Sequence, residues 1–238
     1  MSPVISPPLG GISTLLFDVG NTLHHLDHGF IADSVSRHGH PVNASQVAAA
    51  ELVAKRAIDE AFRARAAGSD STRQVAYFET ILETLGVAAA QADVVLAELR
   101  AENLRSSLWR VMHPETPGLF AELRRRGFTL GVVSNADGRV AAALAATGLQ
   151  PHLRAIIDSH VVGVEKPDAR IFELGLQACG AAPQAAAYIG DIYEIDVRGA
   201  RNAGMTAIVL DPLGAYVGAD CIRIESLAEL LDLFLACS

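Results

Sequence analysis

The stretch TLLFDVGNTLHH, residues 14–25, decides how the rest of the chain is interpreted. It opens with an apolar run that ends at an acid, Asp18, and continues through Gly20, Asn21 and Thr22. A carboxylate at the end of a buried strand is costly unless something binds it. We therefore expect Asp18 to be functional and to stand at the carboxyl end of the first strand of a buried sheet.

Four later segments resemble this first strand, because they are continuously apolar or rich in β-branched residues, as strands covered on both faces are. They are FTLGVVSN (128–135), AIIDSHVV (155–162), AAYIGD (186–191) and TAIVLD (206–211). Helical stretches lie between them: one opens at Asp137 or Gly138 and closes at Gly148, and another runs from Asp168 to Gly180. Strands that alternate with helices predict an α/β fold, a parallel sheet with helices on both faces.

The region between about residues 27 and 112 breaks this alternation, because it contains no convincing strand. The segments NASQVAAAELVAKRAIDEAFRARAA (43–67) and TRQVAYFETILETLG (72–86) have helical spacing and strong helix formers. We therefore predict two domains. Their bounds are 1–24 with 112–238 for a core, and 25–111 for an all-helical insertion.

The composition excludes several classes of protein. The 238 residues are 50% hydrophobic and 19% charged, which suits one large domain or a domain with an insertion. A net charge of -8 disfavours nucleic acid as a partner. No apolar run reaches the ~18 residues of a membrane span, and the start, MSPVISPPLGG, lacks a signal-peptide pattern. The cysteines lack metal-ligand spacing and predict reduced thiols in a cytoplasmic protein; they are Cys179, Cys221 and Cys237.

Polar side chains stand where the predicted strands end or shortly after. They are Asp18, Ser134, Asn135, Lys166, Asp191 and Asp196. Ligands of open parallel sheets bind beyond the carboxyl ends of the strands, so we expect these side chains to converge. Asp18 and Asp191 suit Mg²⁺, which takes one or two carboxylates together with waters and a phosphate. Lys166 is one of only two lysines, against seventeen arginines, so its position is not background composition.

These residues resemble the motifs of the haloacid dehalogenase superfamily, a large family of phosphatases and relatives that act through an aspartate nucleophile. Four motifs occur in the family's order, and they are Asp18-Val19-Gly20-Asn21-Thr22, Ser134, Lys166 in KPDARIF, and Gly190-Asp191 with Asp196. The resemblance extends from Leu15 to about Asp211. It implies a Rossmann-like core with a helical cap domain inserted after the first strand.

The resemblance also implies a reaction and a role for each residue. Asp18 is the nucleophile and forms an aspartyl-phosphate on a small phosphorylated substrate. Mg²⁺ is held by Asp18, Asp191 and the backbone carbonyl of Gly20. Ser134, Asn135 and Lys166 hold the phosphoryl group, and Lys166 also takes part in catalysis. Asp196 either caps a helix or supports Lys166 through a hydrogen bond.

Gly20 departs from the family pattern, which usually has a second aspartate there as the general acid and base. One interpretation is a phosphatase with weakened acid–base catalysis, in which His24, His25, His28 or a cap residue stands in, or the substrate has a good leaving group. Loss of such a group costs about 10²–10⁴ in rate.

Three alternatives remain open. The 2-haloacid dehalogenases also lack the second aspartate, but they need no metal and typically have Ser in place of Asp191 and Tyr in place of Phe172. Asp191 would moreover repel an anionic haloacid. A phosphonate-cleaving relative would use a cap lysine, for which Lys55 is available. The last alternative is an inactive module that binds phosphate or metal. The substrate and the oligomeric state are not specified by the sequence.

Overall fold

The computed structural model describes residues 10–66 and 68–235, which form two compact units. His24–Val111 form one, which we call the helical unit, and the described residues before and after it form the other, the sheet unit. The structure does not describe residues 1–9, which are most of the segment MSPVISPPLGG, and it does not describe Cys237.

The strands and helices within these ranges are numbered in chain order. The strands are β1 Thr14–Phe17, β2 His25–Leu26, β3 Trp109–Val111, β4 Thr129–Ser134, β5 Ala155–Asp158, β6 Ala186–Gly190, β7 Thr206–Leu210 and β8 Ile222–Ile224. The α-helices are α1 His28–Arg37, α2 Ala44–Arg63, α3 Asp70–Thr84, α4 Ala89–Arg105, α5 Thr116–Arg125, α6 Val140–Ala146, α7 Ser159–Val162, α8 Ala169–Cys179, α9 Arg198–Asn202 and α10 Glu229–Leu235. A π-helix, Tyr193–Val197, precedes α9.

The sheet unit is built on a six-stranded sheet in the order β5-β4-β1-β6-β7-β8. Every neighbouring pair in it is parallel. The first strand of the chain lies between β4 and β6, so the residue that follows it, Asp18, stands at the centre of the carboxyl edge. This is the edge at which parallel sheets bind ligands.

Helices cover both faces of this sheet. Successive side chains of a strand point to opposite faces. In β1, Leu15 and Phe17 accordingly pack into one hydrophobic cluster and Leu16 into another. Helices α5 and α6 supply residues to the first cluster, and α8 and α9 supply residues to the second. The predicted α/β fold, with a parallel sheet between layers of helices, is confirmed.

The helical unit has a core of its own, to which α1, α2, α3 and α4 all contribute buried apolar side chains. Asn43 and Gln46 form a reciprocal capping box at the start of α2, which satisfies backbone N–H groups that the helix leaves without partners. The unit also contains an antiparallel pair, β2 with β3. The sequence predicts an all-helical insertion, and the structure differs from this prediction by one short antiparallel strand pair.

The other differences from the predicted elements concern short segments. The predicted strand 155–162 ends at Asp158, because the Asp158 carboxylate accepts a hydrogen bond from the His160 N–H and starts α7. The strand β8 was not predicted, since it has only three residues, one of them Arg223. None of the described helices combines the length and apolar composition needed to cross a membrane.

Candidate active site

Asp18 occupies the carboxyl end of β1, and its backbone N–H continues the pairing with β6 by donating to the Ile189 carbonyl at 2.8 Å. This bond fixes the backbone from which the side chain projects. Ser134, the last residue of β4, donates from its hydroxyl to Oδ1 of Asp18 at 2.8 Å. Both side chains are buried. Neighbouring strands of one sheet thus hold the carboxylate and the hydroxyl together.

Lys166 reaches the same carboxylate from the loop that precedes α8. Its Nζ lies 2.8 Å from Oδ1 of Asp18 and 2.7 Å from Oδ1 of Asp196, and the side chain is only 2% exposed. The hydroxyl of Tyr188 is a third partner, at 2.9 Å. An ammonium group has three N–H donors, so these three acceptors use all of them. A contact between Lys166 and a phosphoryl group would require one of the three to be exchanged.

Asn135 binds the backbone of Lys166 rather than its side chain. The Asn135 amide accepts from the Lys166 N–H at 2.7 Å and donates to the Lys166 carbonyl at 3.1 Å. The predicted role of Asn135 in phosphate binding would therefore fall to its backbone. Its amide side chain fixes the place of Lys166 next to β4.

Asp196 lies on the π-helix and is 1% exposed. Its Oδ1 accepts from Lys166, and its Oδ2 accepts from the backbone N–H groups of Asp191 and Ile192 at 3.0 and 2.9 Å. A Cβ at Gly190 would lie 2.4 Å from Cγ of Asp196. Only glycine at position 190 therefore lets the Asp196 carboxylate approach the end of β6 this closely.

The electrostatics of the site are dominated by burial. Burial raises the pKa of the Asp18 carboxyl; the Lys166 ammonium opposes this, and Asp196 adds to it. Burial also disfavours the charge on Lys166, but Asp18 and Asp196 outweigh it and raise the pKa of the ammonium above its ordinary value. Lys166 therefore stays charged, and the Asp18 carboxylate needs further positive charge to ionise readily.

The acidic side chains suit a divalent cation. One oxygen from each of Asp18, Asp191 and Asp196 lies within 4.8 Å of the others. Among the described residues, these three carboxylates lie close to one another and to the Lys166 ammonium, and their combined negative charge favours a cation. Buried oxygen donors of this kind are those that Mg²⁺ prefers. Because Asp196 already accepts bonds from Lys166 and from two N–H groups, the donor set fits a cation held mainly by Asp18 and Asp191.

Gly20 lies two residues after Asp18 in the sheet unit and has no side chain to act as an acid. The histidines considered as substitutes belong to the helical unit. Burial lowers the pKa of His24, so less of this histidine carries a proton to donate near neutral pH. His28 has its Nε2 2.5 Å from Oε2 of Glu51, so it takes part in a polar network within the helical unit.

Tyr188 is a residue of the site that sequence reasoning did not single out. It lies on β6, is fully buried, and bonds Lys166 as described. Burial raises its pKa well above the ordinary value, so it stays a neutral phenol. The sequence feature that could have identified Tyr188 is its hydroxyl group, which is the one polar side-chain group in the strand AAYIG.

Comparison with known proteins shows which family and which relatives the chain resembles. The family of haloacid dehalogenase-like hydrolases matches residues 12–204. The haloacid dehalogenase-like hydrolase domain-containing protein 3 of Bos taurus is 32% identical over 203 residues, which cover 82% of this chain and 80% of that protein. The phosphoserine phosphatase of Thermus thermophilus is 37% identical over 135 residues, or 56% of this chain and 53% of that one.

A solved structure with a similar fold is that of the HAD-hydrolase YfnB from Bacillus subtilis bound to magnesium. It has a TM-score of 0.64 at 20% sequence identity, and the match covers 94% of this chain and 98% of that one. At this level of identity the likeness concerns the fold.

Proposed function

The chain belongs to the haloacid dehalogenase-like hydrolases, and from this premise we propose that it is a Mg²⁺-dependent phosphatase acting on a small phosphorylated metabolite. The observation that carries the proposal is the group of side chains at the carboxyl edge of the sheet. There the Asp18 carboxylate is held by Ser134 and Lys166, and an oxygen of the Asp191 carboxylate lies within 4.8 Å of an oxygen of Asp18.

Asp18 is the nucleophile of the proposed reaction. One of its carboxylate oxygens attacks phosphorus, and the bond from phosphorus to the leaving oxygen breaks as the bond to Asp18 forms. Water then attacks the phosphorus of this aspartyl-phosphate, which frees Asp18 and releases inorganic phosphate. Ser134 and Lys166 orient the carboxylate through Oδ1, and the Lys166 charge favours its ionised form.

A bound cation would complete the charge balance of the site. Mg²⁺, held by Asp18, Asp191 and the backbone carbonyl of Gly20, would supply positive charge that offsets the repulsion between the Asp18 carboxylate and the phosphoryl oxygens. Asp196 contributes indirectly by holding Lys166.

Gly20 limits the proposed reaction in two places. No carboxylic acid two residues after Asp18 can protonate the leaving oxygen, so this oxygen departs as an anion that solvent protonates. No carboxylate at that position can activate the water that attacks the aspartyl-phosphate. Both steps are slowed by the loss of a general acid or base, which is worth about 10²–10⁴ in rate.

The proposal extends to the helical unit and the substrate. The helical unit takes the role of the cap domain that the family inserts after the first strand. A small phosphorylated metabolite is supported by the phosphoserine phosphatase among the relatives. The protein is proposed to work in the cytoplasm, without nucleic acid or membrane as a partner.

A second candidate is 2-haloacid dehalogenation, which Gly20 favours because a halide leaves without a proton. Asp191 opposes it, since a third buried carboxylate beside Asp18 and Asp196 repels a haloacid anion. Phe172 also stands where that branch typically has Tyr. The phosphatase is therefore the better fit to this site.

The direct test is hydrolysis of p-nitrophenyl phosphate with Mg²⁺ and with EDTA, by the native protein and by Asp18→Asn. This ester has a good leaving group and needs only the nucleophile and the metal. We expect turnover that is lost in EDTA and in Asp18→Asn. Activity in Asp18→Asn equal to that of the native protein contradicts the proposal. Halide release from a 2-haloacid, without ester hydrolysis, favours the second candidate; neither reaction favours a non-catalytic module.

A further inference from the structure

The side chain of Lys166 is fixed at both of its ends. The Asn135 amide brackets its backbone N–H and carbonyl, and three acceptors surround its ammonium. Two of these acceptors, Asp18 and Asp196, are carboxylates. The third acceptor, the hydroxyl of Tyr188, is neutral. It orients the ammonium group of Lys166 without adding a charge.

Tyr188 is itself held rigidly. Its hydroxyl donates to the Val133 carbonyl at 2.7 Å while it accepts from Lys166. Its ring is fully buried and makes an edge contact with Phe172, with ring centroids 4.8 Å apart at 76°. The hydroxyl therefore has little freedom to leave Nζ.

The packing behind Tyr188 depends on a glycine. A Cβ at Gly199, the second residue of α9, would lie 2.6 Å from the ring of Phe172. A side chain at this position would displace Phe172, and with it the ring of Tyr188. Residues from β6, α8 and α9 thus combine to hold one phenol hydroxyl next to Lys166.

We infer that Tyr188 is a positioning residue for the proposed phosphatase reaction: its hydroxyl fixes the third N–H of Lys166, so that the other two point at Asp18 and Asp196. A free lysine side chain samples many rotamers, and this freedom is lost when its ammonium group is held in place. In this site the ammonium is ordered before substrate arrives, and Asp18 keeps its orientation and its charge partner. The inference rests on the proposed function, because it assigns Tyr188 to that site.

The first test compares Tyr188→Phe with Tyr216→Phe. Both substitutions remove one hydroxyl from a buried tyrosine of the sheet unit, and Tyr216 is not part of the site. With p-nitrophenyl phosphate and Mg²⁺ we expect Tyr188→Phe to lower kcat on the order of 10-fold, with KM changed less than roughly 3-fold. The control should keep the kcat of the native protein at temperatures well below its Tm. An unchanged kcat in Tyr188→Phe, or an equal loss in Tyr216→Phe, overturns the inference.

The second test observes Lys166 directly and needs no activity. In a ¹⁵N–¹H spectrum of lysine ammonium groups, only two signals are possible, and Lys55→Arg identifies which belongs to Lys166. We expect slow hydrogen exchange at the Lys166 ammonium in the native protein, and faster exchange in Tyr188→Phe. Fast exchange in the native protein, or the same rate in both, contradicts the inference.

The two tests also separate the inference from the proposed function. If the native protein does not hydrolyse phosphate esters, the proposed function fails while the spectrum still reports whether Tyr188 orders the Lys166 ammonium. If the native protein is active and Tyr188→Phe retains its kcat, the proposed function stands and the inference fails.

Discussion

At position 20 the chain has a glycine, which in the proposed reaction leaves no acid two residues after Asp18, and this single residue shapes the kinetics that we propose. Without a nearby acid, the charge that develops on the leaving oxygen is not neutralised in the transition state. The rate of phosphoryl transfer should then depend strongly on how stable that oxygen is as an anion.

For a series of phosphate esters we predict that kcat/KM falls steeply as the pKa of the leaving group rises from phenols to alcohols. The measurement is a plot of log kcat/KM against leaving-group pKa for the native protein. A flat plot would show that another residue donates the proton, and the histidines 24, 25 and 28 would be the first to replace.

Gly20→Asp is the matched variant for this series. This substitution places a carboxyl group two residues after Asp18. We expect the variant to increase kcat/KM for alkyl phosphates by about 10–100-fold, below the full range of a positioned acid, and to change it little for p-nitrophenyl phosphate. An increase of the same size for both kinds of ester would not support an acid role for the new carboxyl group.

Gly190 is predicted to be indispensable for a different reason. In Gly190→Ala the new methyl group would meet Asp196 at 2.4 Å, which forces Asp196 away from Lys166 and from two backbone N–H groups. We expect a loss of about 1–3 kcal/mol in the free energy of unfolding, as for other overpacked sites, together with a loss of activity. Denaturant titrations and p-nitrophenyl phosphate assays measure the two effects.

Gly118→Ala is the control for this substitution. Gly118 lies in α5, and a Cβ there meets nothing within 4 Å. Replacement of an exposed helical glycine by alanine should stabilise the protein by up to about 1 kcal/mol. Similar changes in stability for the two variants would refute the role given to the contact between Gly190 and Asp196.

At the scale of elements, the sequence predicts the central strands well because their signal is strong. β1, β4, β6 and β7 are continuous apolar runs that end at a polar residue or a glycine, and each is observed within two residues of the predicted bounds. The polar residues at these strand ends could be identified for the same reason: they interrupt an apolar pattern.

The elements that could not be predicted depend on contacts between distant residues. β3 forms only because it pairs with β2, more than eighty residues earlier, and α7 forms after Asp158 because that carboxylate caps it. Within the site, the bond from Lys166 to Tyr188 and the clamp of Asn135 on the Lys166 backbone join separate loops and strands. No local pattern encodes such pairs.

Helix α2 carries a buried carboxylate, Glu51, whose pKa gives a testable dependence on pH. Burial raises this pKa, but the hydrogen bonds from His28 and Tyr77 and the charge of Lys55 bring it below the ordinary value of 4.5. A group whose pKa is lowered by folding contributes stability above its unfolded pKa, and this contribution is lost as pH falls through the folded value.

For Glu51→Gln we therefore predict a loss of about 1–3 kcal/mol at pH 7, and a difference from the native protein that shrinks as pH falls below 4.5. Thermal melts at several pH values measure it. The control is Glu79→Gln, an exposed carboxylate on α3, for which we expect little difference at any pH. A constant or growing difference at low pH for Glu51→Gln would contradict the account.

At the scale of the whole molecule, the acidic site should make stability depend on Mg²⁺. A cation that binds only the folded chain stabilises it by about 2.7 kcal/mol at a concentration of 100 Kd, and each kcal/mol raises the Tm of a chain of this size by about 2–4 °C. Without the cation, the carboxylates of Asp18, Asp191 and Asp196 repel one another.

Asp191→Asn should reverse this pattern. In EDTA it removes repulsion, so we expect its Tm to equal or exceed that of the native protein, while the increase with Mg²⁺ is lost. Asp137→Asn, at an exposed carboxylate of the sheet unit that is paired with Arg139, is expected to keep the response to Mg²⁺. An undiminished response in Asp191→Asn would place the cation elsewhere.

The central claim is that Asp18 becomes covalently phosphorylated, and Gly20 makes this intermediate accessible. Without a carboxylate to activate water, hydrolysis of the aspartyl-phosphate should be slow enough for it to accumulate. The measurement is peptide mass spectrometry after the protein is mixed with Mg²⁺ and p-nitrophenyl phosphate and quenched in acid. The account predicts one phosphoryl group on the peptide that contains Asp18, absent from Asp18→Asn. Turnover with no phosphoryl group on Asp18, or with one on another residue, would contradict it.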